Sequence, residues 1–380
     1  MNRPHRAATT ARISFRTLCI VFCVFALAGC AAWRDGPAYY WQSFKGHLAV
    51  MCEARPIADL VDDPQVDPAL RERLDEVLAI RAFASKELAL PENGSYTAYA
   101  DIGRPFVVWN VFATPELSMR LEQWCFPIAG CVGYRGYYDR DAADRYAQQL
   151  REDGFEAVVR GVPAYSTLGW FDDPVLSTFV HHPQAEVARL VFHELAHQVL
   201  YVKGDTTFNE SFATAVEQIG VERWLAAREA RTGDPKPRET WEVFAARRAA
   251  FLALLRRHRA ALEDVYASAH DDDDKRRAKA AVFERLRSDY EELKRQWGGF
   301  AGYDRWFAQP LTNAHLASIG SYTDRVPAFR ALFAEEGGDL PAFYRRAGSL
   351  GDLPKPERDA ALDALAPHSA SGSPLPHPAQ

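Results

Sequence analysis

The sequence predicts an α+β fold, predominantly helical, with a small sheet beside one central helix and a long helical hairpin towards the C-terminus. Three observations carry this reading. Apolar residues recur at helical spacing over long stretches, above all 241–262 and 282–297. Runs rich in Val, Tyr and Trp are short and confined to the first half of the chain, at 96–102, 106–113 and 155–162. Between these regions lies Val191-Phe192-His193-Glu194-Leu195-Ala196-His197-Gln198, an apolar helical segment that carries two imidazoles and a carboxylate.

Taken in order, residues 1–29 have the make-up of a targeting segment. Arg3, Arg6, Arg12 and Arg16 precede an apolar run at 18–28 that is too short to span a bilayer as a permanent helix. Leu27-Ala28-Gly29-Cys30 resembles the bacterial lipobox, which implies cleavage before Cys30 and acylation of that residue. Several acyl chains anchor stably where one does not. Ala31 in the next position resembles the signal for the outer membrane of Gram-negative bacteria. The expected location is therefore the cell envelope, with the protein lipid-anchored to the outer membrane and facing the periplasm.

The whole chain has 45 basic and 51 acidic residues, a formal charge of −6. Loss of residues 1–29 removes four Arg and no acid, leaving 41 against 51 and a charge of −10. Nucleic acid, which needs a basic patch, is not an expected partner. Hydrophobic residues at 48% suffice for a core. Of six cysteines, Cys19 and Cys23 leave with the signal and Cys30 carries lipid. In an oxidising compartment Cys125 and Cys131 can close a short turn as a disulfide, leaving Cys52 over, expected to be buried.

The mature part, 30–350, reads as one domain. Helices are expected at 39–51 and 68–88, separated by Asp62-Asp63-Pro64. The strands at 96–102 and 106–113 turn at Gly103-Arg104, and a helix at 141–153 leads into the strand at 155–162. Tyr165-Ser166-Thr167-Leu168-Gly169-Trp170-Phe171 reads as a further strand or hairpin arm, ending at Asp172-Asp173-Pro174.

The central segment follows. Four residues make slightly more than one helical turn, so His193 and His197 stand on one face and can reach one metal ion. Glu194 lies beside them, able to touch a water on that ion without being a ligand. This His-Glu-x-x-His pattern is the zincin arrangement. After a break at Gly204-Asp205-Thr206-Thr207 a second helix offers Glu210, and two His plus one Glu is a ligand set that hydrolytic zinc uses. Glu217, two turns on, falls on the same face and rivals Glu210, but is expected to hold a ligand imidazole by its other nitrogen. The rest of the chain is helical. The hairpin of 241–262 and 282–297 has Asp271-Asp272-Asp273-Asp274 at the start of its second arm, where acids suit the helix dipole. A helix or loop at 313–322 carries His315 and Tyr322, and 351–380, rich in Pro, Ala, Ser and Asp, reads as a disordered tail.

Asn209-Glu210-Ser211-Phe212-Ala213 resembles the glutamate-ligand motif of gluzincin aminopeptidases of the aminopeptidase N type, with Ser211 in place of Gly. The chain as a whole resembles a family of proteobacterial lipoproteins described as putative aminopeptidases. The resemblance implies a Zn2+ peptidase acting on peptides, with Glu194 as base and a Tyr or His as oxyanion donor, for which Tyr322 is the first candidate and His315 the second. It also implies that peptide substrate lies along an edge strand before the zinc helix, here Ser166, Leu168 and Gly169. An acid that holds the substrate's free α-amine would be Asp172 or Asp173, the family's Gly-x-Met-Glu-Asn motif being absent. An endopeptidase, and a non-catalytic lipoprotein scaffold on the same shell, remain the alternatives.

Overall fold

The structure, a computed structural model, describes residues 36–126 and 130–365, the side chains of residues 37 and 320–323 apart. The signal segment 1–29, Cys30 and residues 366–380 lie outside the described residues. The chain divides into two units, Met1–Ala49 and Val50–Gln380.

In chain order the elements are α1 (Gly36–Cys52), β1 (Arg55–Pro56), α2 (Ile57–Asp62), α3 (Pro68–Leu88), β2 (Ala98–Ala100), β3 (Val108–Pro115), β4 (Trp124–Phe126), β5 (Gly130–Val132) and β6 (Arg135–Tyr137). Then come α4 (Arg140–Glu152), β7 (Phe155–Val162), β8 (Val175–Leu176), α5 (Gln184–Val199), α6 (Thr206–Thr232), α7 (Lys236–Ala267) and α8 (Asp272–Gln296). The chain closes with α9 (Asp304–Phe307), α10 (Asn313–Thr323), α11 (Val326–Glu335), α12 (Leu340–Gly351) and α13 (Lys355–Leu365). The fold is α+β and predominantly helical. No helix among the described residues is long and apolar enough to cross a membrane.

Helix starts follow local chemistry. Asp67 accepts from the N–H groups of Ala69 and Leu70, with Pro68 opening α3, and Asp271 accepts from Asp274 N at the head of α8. Both groups would otherwise leave free donors in the first turn. The strands form small sheets. β2 pairs with β1 antiparallel and with β8 in parallel, β3 is flanked by β6 and β7, and β4 pairs with β5. A disulfide joins Cys125 to Cys131 across the last hairpin.

The main core is built on α5 and α6. Val191, Phe192 and Leu195 of α5 bury against Phe212, Val216 and Ile219 of α6, with Ile80 and Leu88 of α3 on one side and Phe329 and Phe343 of α11 and α12 on another. The β1-β2-β8 sheet contributes Tyr99, Ala100, Val175 and Leu176 to the same core. The α7–α8 hairpin has a separate core of Leu254, Leu255, Leu286 and Tyr290, closed by Phe307 stacked on Tyr290 at 4.0 Å.

Several expectations change. Residues 165–171 form no strand: Leu168 and Gly169 have φ of 58° and 80°, and Thr167 donates through both N and Oγ1 to Asp173 Oδ2, curling the segment into a closed loop. Residues 355–365, expected in a disordered tail, form α13. Its Arg358 is buried against Asp205, the N-cap of α6, at 2.7 Å, and Leu362 enters the main core. Cys52 is exposed rather than buried.

α5 and α6 approach closely at Gly220, where a Cβ would stand 2.6 Å from the Phe192 ring and 2.8 Å from the Leu88 side chain. Gly220→Ala is expected to destabilise the protein by about 1–3 kcal/mol through overpacking. Urea denaturation measures this, and an unchanged midpoint would show that the Phe192 ring moves aside freely.

Candidate metal centre

α5 sets His193 and His197 one turn apart, their rings 4.9 Å centre to centre and nearly perpendicular. α6 brings Glu210 to both imidazoles. Its Oε2 lies 3.2 Å from His193 Nε2 and 3.8 Å from His197 Nε2. One ligand atom from each of the three lies within 4.8 Å of the others, so this group could hold a metal ion. The turn before α6 is fixed by Asn209, whose side chain donates to Val202 O at 2.8 Å and accepts from Val202 N at 2.7 Å. That clamp accounts for an Asn beside the Glu: it sets the angle at which Glu210 meets the first helix.

Glu217 falls behind the group and makes no part of it. Its side chain is fully buried and accepts from His193 Nδ1 at 3.0 Å, Arg189 Nη1 at 2.9 Å and Arg248 Nη1 at 3.3 Å. With Nδ1 so engaged, His193 presents Nε2 to the metal position. Burial opposes charge on His193, but the hydrogen bonds and charges of Glu210 and Glu217 outweigh it and push the imidazole up to about 10. His197 has no such partner on Nδ1, and burial pulls it down to about 4. For Glu210 and Glu217 burial works against ionisation, yet the neighbouring imidazoles, and Arg189 for Glu217, hold both below the usual carboxylate range. Glu194 stands apart: burial pushes its carboxyl up to about 7.

Two loops flank the C-terminal end of α5, and both touch Gln198. From one, Asn93 donates to Gln198 Oε1 at 2.7 Å and Ser95 Oγ accepts from its Nε2 at 3.1 Å. From the other, Gly169 lies over Gln198, where a Cβ would sit 3.5 Å from Oε1. Trp170 and Phe171 are exposed at that loop's tip. The two acids behind it differ. Asp172 is exposed and lies over Gly94, whereas Asp173 is 1% exposed, with one carboxyl oxygen unpartnered, and its charge is felt at Glu194. Burial raises Asp173 to about 6, against the hydrogen bonds from Thr167.

Of the proposed oxyanion donors, Tyr322 lies on α10 with its side chain outside the described residues. His315 is buried with its ring edge-on to Trp306, and Thr312 N donates to its Nδ1. Among the described residues it makes no contact with the metal group. Three neighbours were not singled out from sequence. Tyr201 stands four residues after His197, its ring 6.4 Å from that imidazole, and burial and the Glu210 charge raise its pKa. Arg189 stands one turn before His193, a legible spacing, but its partner depends on where α6 packs. Tyr96 carried no signal, because only the fold brings its loop beside Glu194.

Removing Glu210 is expected to weaken divalent metal binding more than the about 10- to 100-fold loss expected on changing the partner of a ligand imidazole. Competition with a chelator on Glu210→Ala and Glu217→Gln measures both, and the reverse ranking would make Glu217 the ligand.

A family model described as "Putative aminopeptidase" matches residues 38–362. No curated protein and no solved structure matches the chain.

Proposed function

The chain belongs to the putative aminopeptidase family, and from that premise we propose that it is a zinc-dependent peptidase whose metal is held by His193, His197 and Glu210. The observation that carries the reading is the convergence of these three side chains from two helices, with Glu194 beside them and outside the ligand set. Two nitrogens and one carboxylate oxygen suit zinc, and they leave a position open for reaction. Bound there, zinc would act as a Lewis acid, polarising the scissile carbonyl and acidifying a water.

The chain's own part is proton transfer and orientation. Glu194 takes a proton from the attacking water as its oxygen bonds to the carbonyl carbon. It then delivers that proton to the amine nitrogen as the C–N bond breaks. A carboxyl raised to about 7 is matched to both halves of that task near neutral pH. Glu217, kept ionised by Arg189 and Arg248, holds His193 in the tautomer that binds metal.

The substrate is a peptide that passes the 166–171 loop. With no strand at 166–171, Ser166, Leu168 and Gly169 would meet it as a loop wall. Of the two acids Asp172 is the one open to a free α-amine, since it is exposed, whereas Asp173 is buried and held by Thr167. Glu194→Gln is expected to retain zinc and to cleave about 100- to 10,000-fold more slowly. The assay uses one peptide with free and with acetylated N-terminus and measures metal content alongside. Full activity of Glu194→Gln would refute its role as base, equal rates on both peptides would make the enzyme an endopeptidase, and a wild type without zinc or cleavage would leave a scaffold.

The same reading includes lipid attachment at Cys30 and an outer-membrane position facing the periplasm. Trp41, Phe44 and Leu48, exposed on α1 shortly after Cys30, support a membrane-proximal start to the chain. Mass spectrometry of the mature N-terminus is expected to show acylated Cys30, lost in Cys30→Ser; an unmodified wild-type terminus would exclude the anchor.

A further inference from the structure

Glu194 and Gln198 stand one turn apart on α5, so they share a face of that helix. Of residues 190–197, Glu194 alone is not buried, and Gln198 continues the opening. At the metal motif, solvent therefore meets α5 along this face. The 166–171 loop lies on it: Gly169 is placed over Gln198 so that a Cβ would stand 3.5 Å from Oε1.

Hydrogen bonds hold the loop stiffly. Thr167 donates through N and Oγ1 to Asp173 Oδ2, while its Oγ1 accepts from Phe171 N and its O from Trp170 N, each at 3.1 Å. Ser166 Oγ accepts from Leu168 N at 3.1 Å. Within these bonds Leu168 is left-handed at a φ of 58°, as Tyr96 is at 63° in the other loop beside Gln198. A non-glycine residue keeps that conformation only where its surroundings impose it, and such residues gather where ligands are held. What the imposed turn delivers is Trp170, 71% exposed, next to Phe171 at 53%. An indole held in water adds nothing to the core, and exposed aromatic surface rimmed by polar groups marks a place of contact.

The chemistry around the indole selects among partners. Residues 161–180 contain no Lys or Arg and two acids, of which Asp172 is exposed beside the aromatic pair. An anionic membrane surface draws basic segments, so this loop does not suit one. A peptide does suit it, because the loop rests on the face of α5 that carries Glu194. We infer that Trp170 is a specificity-determining residue of the peptidase, whose ring receives a large apolar side chain, Phe or Leu, of the peptide next to the cleaved bond. The inference rests on the peptidase reading above and deepens it by naming the substrate class. A ring already fixed by its loop loses little freedom when the peptide docks. The contact is the same before and during reaction, so it acts on KM rather than kcat.

The test compares peptides that differ only in one residue, Phe, Leu, Ala or Asp, substituted in turn on either side of the cleaved bond. The wild type is expected to prefer Phe and Leu over Ala and Asp by about 10-fold or more in kcat/KM. Trp170→Ala should remove that preference by raising KM for the Phe and Leu peptides about 10-fold, leaving kcat throughout and KM for the Ala peptide within about twofold. Trp170→Phe should retain most of the preference, and zinc content and melting temperature should match the wild type in both variants, since the side chain is exposed. A second readout needs no turnover: calorimetry of the Phe peptide on Glu194→Gln should show the same loss of affinity when Trp170→Ala is added. An unchanged preference in Trp170→Ala, an equal loss on the Ala peptide, or a wild type without preference would each overturn the inference. So would wild-type kinetics in Trp170→Ala joined to lost binding to vesicles of phosphatidylethanolamine and phosphatidylglycerol, which would assign the indole to the membrane. Those outcomes leave the peptidase reading intact. That reading fails separately, and the inference with it, if the wild type holds no zinc and cleaves none of the peptides.

Discussion

The site depends on one buried carboxylate. Glu217 is fully removed from solvent on α6, and taking an ion out of water costs several kcal/mol unless charge and hydrogen bonds replace the lost hydration. Arg189 and His193 from α5 and Arg248 from α7 supply that replacement. Three helices are tied through one side chain, and the tie is directional: the imidazole that meets Glu217 through Nδ1 has only Nε2 left to offer. Arg189 is itself held by Glu186 one turn earlier on α5 at 3.0 Å. The geometry of the metal group is thus set from behind by ion pairs whose loss would leave an uncompensated buried charge, a cost of about 3–5 kcal/mol.

The same arrangement sorts the acids of the site. Glu210 and Glu217 lie among imidazoles and guanidinium groups, and both are held ionised. For Glu194 and Asp173 burial outweighs the opposing His193 charge and the Thr167 hydrogen bonds respectively, and they rise to about 7 and about 6. Carboxylates divided by environment in this way take different tasks, one pair holding cations and the other able to exchange protons. Position along α5 contributes: His193 and Arg189 meet Glu217 of α6, whereas Glu194 follows about 100° further round the helix.

How much of this was legible follows from the range of the forces involved. His193, His197 and Glu194 were readable because helical periodicity alone brings them together. Glu210 and Glu217 were readable as one face of a second helix, though which of them joins the two imidazoles in a group that could hold a metal depends on the packing of α6 on α5. The limits of α3 and β7 came out as expected, because caps and β-branched runs act locally. The 165–171 segment did not: its composition suits a strand, but Thr167 and Asp173 make a side-chain turn that outcompetes pairing. Residues 355–365 look unstructured by composition, and become a helix through a long-range contact, Arg358 with Asp205, that no local pattern announces. Tyr96 was invisible for the same reason, since its conformation is imposed by Arg81, Gln198 and Asp173 from separate parts of the chain.

That last group explains why irregular backbone is tolerated beside so rigid a helix pair. A left-handed non-glycine residue costs about 1–3 kcal/mol and persists only if other contacts outweigh it. Here the contacts run to α3 through Arg81 and to α5 through Gln198, the two helices that also pack together in the main core. The 166–171 loop approaches the same Gln198 side chain through Gly169. Gln198 directly follows His197, so the residue that ends the metal motif also fixes the separation of the two loops beside it. A shift of α5 relative to α6 would therefore disturb the metal group and the loops together. The packing at Gly220 and the pairing at Glu217 oppose that same movement.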